Sequence, residues 1–156
     1  MGRRTGAVLV SLLLLLTLAV SASAAAVKMT VGVRFWRESG DKESMADSAV
    51  DTTREATLTR QPNGTFTLEL PVKQVSSMNM TGRLTGIAIG EVNYDGDLSG
   101  DLSDGTAVLT LKNLPASVLT GSDSNKALAV TCSIKMDTIL LGDIATSAKM
   151  SIWVER

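Results

Sequence analysis

Beyond residue 26 the chain alternates apolar and polar side chains in short runs broken by turn residues. Val27, Met29, Val31, Val33 and Phe35 alternate with Lys28, Thr30, Gly32, Arg34 and Trp36, the period of two that marks a half-buried strand. Glu38 to Glu43 is polar and ends this strand. In Ser44 to Val50, Met45, Ala46 and Ala49 fall at helical offsets, which predicts a short helical turn. Glu55–Arg60 and Thr65–Val75 read as a hairpin joined through Gln61-Pro62-Asn63-Gly64, because Asn-Gly supplies the positive φ of a tight turn. Leu84–Val92 alternates again, Tyr94–Gly105 reads as an Asp/Gly/Ser loop, and Ala107–Leu114 is a strand stopped by Pro115. Leu128, Val130, Cys132, Ile134 and Met136 share one face of the next strand, and Met150, Ile152 and Val154 one face of the last. Met78 and Met80 precede a strand. Seven or eight such strands with little helix predict an all-β domain, a β-sandwich with a short helical turn after the first strand, or else a closed barrel.

The first residues follow another rule. Arg3 and Arg4 precede an apolar run from Ala7 to Val20, and Ser21–Ala26 are all small. This is the layout of a secretory signal peptide over residues 1–24, cut after Ala24 or, next best, after Ala26. The alternative, an uncleaved anchor, has a run near the lower limit for spanning a bilayer. The tail Val154-Glu155-Arg156 adds no hydrophobic or sorting-type extension, so a secreted, extracellular product without membrane insertion is expected. Residues 25–156 then make one domain, large enough for a core without disulfides, and the single Cys132 allows none.

Composition narrows the chemistry. Beyond the leader stand 13 basic against 16 acidic residues, no electrostatic footprint for nucleic acid. There is no His, hence neither the commonest general base nor the commonest metal ligand. Cys132 lies on an apolar strand face, where a thiol is a small hydrophobe. A binding protein, not an enzyme, is expected. Asp95, Asp97, Ser99, Gly100 and Asp101 resemble the start of a calcium loop, but its twelfth position is Thr106 where a bidentate Glu belongs; a turn between strands is the better reading. Asn63 and Asn79 head glycosylation sequons that matter only in a eukaryotic source. Seven methionines, six beyond the leader, are the odd feature. Most Met fills cores, yet thioether sulfur also ligates haem iron, and Met45 and Met136 sit at element ends.

Arg34-Phe35-Trp36-Arg37, the polar loop to Glu43, and Ser44-Met45-Ala46-Asp47-Ser48-Ala49 resemble the opening of a NEAT (near iron transporter) domain. Thr57–Leu70 is similar to that family's second hairpin, Asn79-Met80-Thr81-Gly82-Arg83-Leu84 to its Met-x-Gly-x-Leu strand, and Ala127–Val154 to its closing hairpin. The resemblance covers nearly all of the mature chain, and Ser44-Met45 after the Trp36 strand is its sharpest part. It implies an immunoglobulin-like sandwich from a Gram-positive cell surface or its secretions, taking up haem, or contacting a haem protein or another surface receptor, for iron acquisition. It implies haem between the short helix (Ser44–Val50) and the final hairpin, Ser44 bonding a propionate and Met45 covering the porphyrin. Ile139, Leu140 and Leu141 would flank the slot. The family's Tyr-x-x-x-Tyr pattern is absent: its positions fall near Gly142 and Thr146, and Tyr94 lies elsewhere. Met136 with Met45 would then serve as iron ligands, a soft pair favouring ferrous haem. The competing reading is a non-haem interaction or adhesion module, for which Trp36 and Trp153, out of phase with the apolar faces of their strands, would supply an aromatic patch.

Overall fold

The computed structural model describes residues 25–138 and 142–156. The leader assigned to residues 1–24 lies outside them. Among the described residues no helix is long and apolar enough to cross a membrane.

Among the described residues ten strands follow in order: β1 Val27–Arg37, β2 Ala56–Arg60, β3 Phe66–Pro71, β4 Val75–Ser77, β5 Met80–Ile89, β6 Val92–Asp95, β7 Asp97–Ser99, β8 Val108–Leu114, β9 Leu128–Met136 and β10 Asp143–Val154. Among the described residues helical structure is confined to short 3-10 segments, the first at Met45–Ala49. All pairings are antiparallel, in the path β4-β5-β9-β10-β1-β2-β3-β8-β7 with β6 also on β5.

One strand turns this continuous path into two layers. β1 pairs with β2 from Val27 to Val31 and with β10 from Val31 to Arg37. Its first half therefore belongs to the β2-β3-β8-β7 layer and its second half to the β10-β9-β5 layer. The inward residues of both layers, Phe35, Leu58, Leu68, Leu70, Leu84, Leu109, Leu111, Ile134, Met150 and Ile152 among them, are fully buried and almost wholly aliphatic. Each such side chain contributes on the order of 1.5–3 kcal/mol. The fold is an all-β, immunoglobulin-like sandwich.

The Asn63-Gly64 turn forms as its residues predict: Gly64 has φ +85° and the Asn63 side chain accepts bonds from the Thr65 amide and hydroxyl. Three readings need correction. Thr65–Val75 is not one strand; after Pro71 the chain changes layers, so β3 pairs with β8 and β4 with β5. Met80 begins β5 instead of preceding it, and Met78 occupies the β4–β5 turn. Tyr94–Gly105 is not all loop: Gly90 and Glu91 turn the chain, and β6 and β7 carry it from one layer to the other through Gly96, whose amide bonds Thr85 O at 2.8 Å. Short, polar strands of this kind are the usual way to blunt a sheet edge, and their exposed side chains leave no alternation to read.

The β5–β6 hairpin depends on a close backbone approach. A Cβ at Gly86 would lie 2.6 Å from Tyr94 O, and backbone cannot yield as a side-chain tip does. Gly86→Ala is therefore expected to cost about 1–3 kcal/mol, read as a lower midpoint in urea unfolding. An unchanged midpoint would show that the hairpin does not close in this register.

Candidate functional site

Pairing of β1 with β10 ends at Arg37↔Ala148, while β9 and β10 stay paired as far as Asp143↔Lys135. The β9–β10 hairpin thus projects past the end of β1. On its inward face stand Ile144 and Thr146 of β10 and Ile134 and Met136 of β9, continued by Gly82 and Met80 of β5. These positions share one inward face at the end of the sandwich.

The 3-10 helix Met45–Ala49 is held where β2 leaves β1. Past Val31 the edge of β1 has lost its strand partner. The Trp36↔Glu43 bridge brings the chain back, the Ser44 amide donates to Phe35 O at 2.9 Å, and the Phe35 amide donates to Asp47 Oδ1 at 2.8 Å. Ala46 and Ala49 face the core, the Lys73 amide donates to Ala49 O, and the helix packs on β1 and β5. Asp47 is 8% exposed, and burial pushes its pKa up from the ordinary 3.8 against the opposing pull of the Phe35 amide.

Ser44 and Met45 open this helix into a depression of about 530 Å³ that three cations, Arg34, Arg37 and Lys73, and two carboxylates, Glu43 and Asp47, also line. The Ser44 hydroxyl is buried and has no hydrogen-bond partner within the protein. Met45 is 39% exposed. A buried hydroxyl without a partner, beside three cations and an exposed thioether, fits an anionic, partly apolar ligand. Two of the cations are engaged at their rims: Arg34 pairs with Glu43, and Arg37 Nε donates to Glu43 O.

The sequence-assigned residues are distributed as follows. Ser44 and Met45 meet at the depression. Met136 faces inward on β9, 6% exposed, its sulfur lying over Gly82, and it is not part of the depression that Met45 lines. Ile139, Leu140 and Leu141 lie outside the described residues. Thr146 faces inward on β10, and Gly142, just before that strand, has φ +53°. Tyr94 is on β6 opposite Ile87. Trp36 and Trp153 share the outer face of β1 and β10, but neither stands free: Trp36 Nε1 donates to Ser151 Oγ at 2.9 Å and the Trp153 ring lies over Gly32. Asp95 and Asp97 belong to β6 and β7. Asp101 accepts from the Ser103 amide and hydroxyl. Among the described residues no cluster of His, Cys, Asp or Glu has a metal-binding arrangement. Burial pushes the Cys132 thiol up to about 12, so it is protonated and unreactive at neutral pH. Sequence reading missed Asp47 and the cations; a lone acid between small residues in Ser44–Ala49 was the available signal.

These features define a class: a small immunoglobulin-like sandwich with a short 3-10 helix after its first strand, a depression beside that helix and a projecting closing hairpin. No family model matches the chain, and no curated protein matches it. Among solved structures it is similar to a mutant of IsdX2-NEAT5 in complex with haem, with a TM-score of 0.53 and 11% identity over 85% of this chain and 98% of that one. The likeness is one of fold.

Asp47 gives the site its own test. Its ionised form is the costlier one in the folded state. It therefore contributes stability that is full below pH 3.8 and lost as pH rises through the raised folded value. Asp51 and Glu69, both lowered by hydrogen bonds, slope the other way and are common to every variant. Asp47→Asn keeps an acceptor for the Phe35 amide, so relative to the parent it is expected to gain stability from acid to neutral pH. Asp47→Ala strands that amide and is expected to cost about 1–3 kcal/mol. Urea midpoints from pH 3 to pH 7 check both; equal loss in the two variants would contradict the clamp.

Proposed function

We propose that the chain is an extracellular haem-binding module for iron acquisition, with haem held between the 3-10 helix at Met45–Ala49 and the β9–β10 hairpin. The observation that carries this reading is the buried, unpartnered Ser44 hydroxyl beside exposed Met45 in a depression lined by Arg34, Arg37 and Lys73. A domain of the same fold has been solved in complex with haem, which supports the choice of ligand. Ser44 and the cations are suited to propionates, and Met45 to the porphyrin face. Bound there, haem would supply a redox-active iron, which the Met45 thioether would help to hold. Met45 presents its thioether already. Met136 would serve as the second ligand only if the hairpin end opened, and Ile139 and Leu141 are assigned to the apolar flank of the slot. The absence of His and the inert Cys132 favour binding over catalysis. Residues 1–24 are assigned as the leader that exports it.

A second reading, protein interaction, is favoured by the two half-buried indoles on the outer β1–β10 face, although both are tied to the sheet.

Haem titration of the mature chain, oxidised and then reduced, tests the proposal. A sharp Soret band with low-spin features is expected, stronger in the ferrous form. Met45→Ala is expected to weaken binding by about tenfold, which is 1.4 kcal/mol, and Ser44→Ala by less. A spectrum no different from free haem would overturn the proposal and favour a protein partner.

A further inference from the structure

Two methionines that the haem reading does not use, Met78 and Met80, stand at the β4–β5 turn, and Met136 lies opposite the same strand at the end of β9. That turn is made by Met78 and Asn79, both at positive φ, +49° and +63°. Such turns take Asn, Asp or Gly; a bulky side chain there is strained. Met78 is also 89% exposed, so packing does not compensate. Met80, two residues on, lines with Met78 an open depression whose other walls are Ser76, Ser77, Asn79 and Thr81.

The inward side of the same strand carries the third sulfur. Gly82 is opposite Met136, and a Cβ at position 82 would lie 2.6 Å from Met136 Sδ. The sulfur thus occupies space that only a glycine leaves. Met80 is on the same face as Gly82, about 6.6 Å along the strand, so Met80 and Met136 are diagonal neighbours on paired strands, within reach of long side chains. Thr138, two residues beyond Met136, has a buried hydroxyl without a partner.

The geometry points to a thioether site for a soft monovalent cation of the Cu(I) class, built from Met78, Met80 and Met136. Neutral thioethers select such ions over divalent cations, which want imidazole or carboxylate, and the described residues offer no cluster of those donors. Met78, exposed on its strained turn, would supply the third thioether to an ion held by the other two. The site stands on observations separate from the haem reading and shares only Met136 with it.

The test uses the mature chain with 13C-labelled methionine methyl groups and Cys132→Ala, which removes the one competing thiol. Ag(I), a redox-inert probe for Cu(I), is added stepwise. The Met78, Met80 and Met136 methyl signals are expected to shift together and saturate at a single equivalent, with Met29 and Met150 unmoved. Met80→Leu, close in volume, should weaken binding by more than the roughly tenfold that loss of an outer-shell partner costs a metal site. Met78→Leu, changed on the surface, should do the same without touching the core. Met78→Leu, at an exposed position outside the haem site, should leave haem binding intact, which separates failure of this site from failure of the haem reading. Methyl shifts absent from these three residues, or Ag(I) affinity unchanged in both variants, would overturn the proposal.

Discussion

The backbone of Phe35 is where the architecture is decided. β1 is shared by two layers, so beyond Val31 one of its edges loses β2. A buried amide and carbonyl cannot be left unpaired there without a penalty of about 1–3 kcal/mol each. Asp47 supplies an acceptor and Ser44 a donor, and with those two bonds the 3-10 helix takes the place of the missing strand. The position of Ser44 and Met45 at the depression follows from that substitution. A buried carboxylate is a costly way to achieve it, as the raised pKa of Asp47 records, but a carboxylate is a strong acceptor for a backbone N–H.

What the alternation made legible was the set of strands with one buried face: β1, β9, β10 and the Asn63-Gly64 hairpin. What it hid were elements with no buried stripe or with a change of layer. β6 and β7 are short, polar and exposed, and their register is set by Gly86 and Gly96 instead of by apolar side chains. The break after Pro71 was obscured because Leu70, Val72 and Val75 are all buried, one in each layer's service and one between. At the site, Ser44 and Met45 were found through a family resemblance, whereas Asp47 was invisible: its partner is an amide twelve residues away, and a backbone group leaves no mark in sequence.

Lack of His shapes everything the chain can do with a metal. Its soft donors are thioethers and one sealed thiol. Met45, Met80 and Met136 are distributed around one end of the sandwich, on the helix, on β5 and on β9. Met is the residue that fills such irregular space with least strain and still offers a lone pair. Thioethers at that end of the sandwich are therefore the soft donors the chain has available to hold an ion.

The most direct measurement is a methionine methyl NMR spectrum of the mature chain with diamagnetic gallium protoporphyrin, in which the ring current marks whatever lies against the porphyrin face. The account predicts a large upfield shift of the Met45 methyl, a smaller one for Met136, and none for Met29 on β1. Shifts confined to Met29 or absent throughout would contradict a porphyrin seated between the 3-10 helix and the closing hairpin.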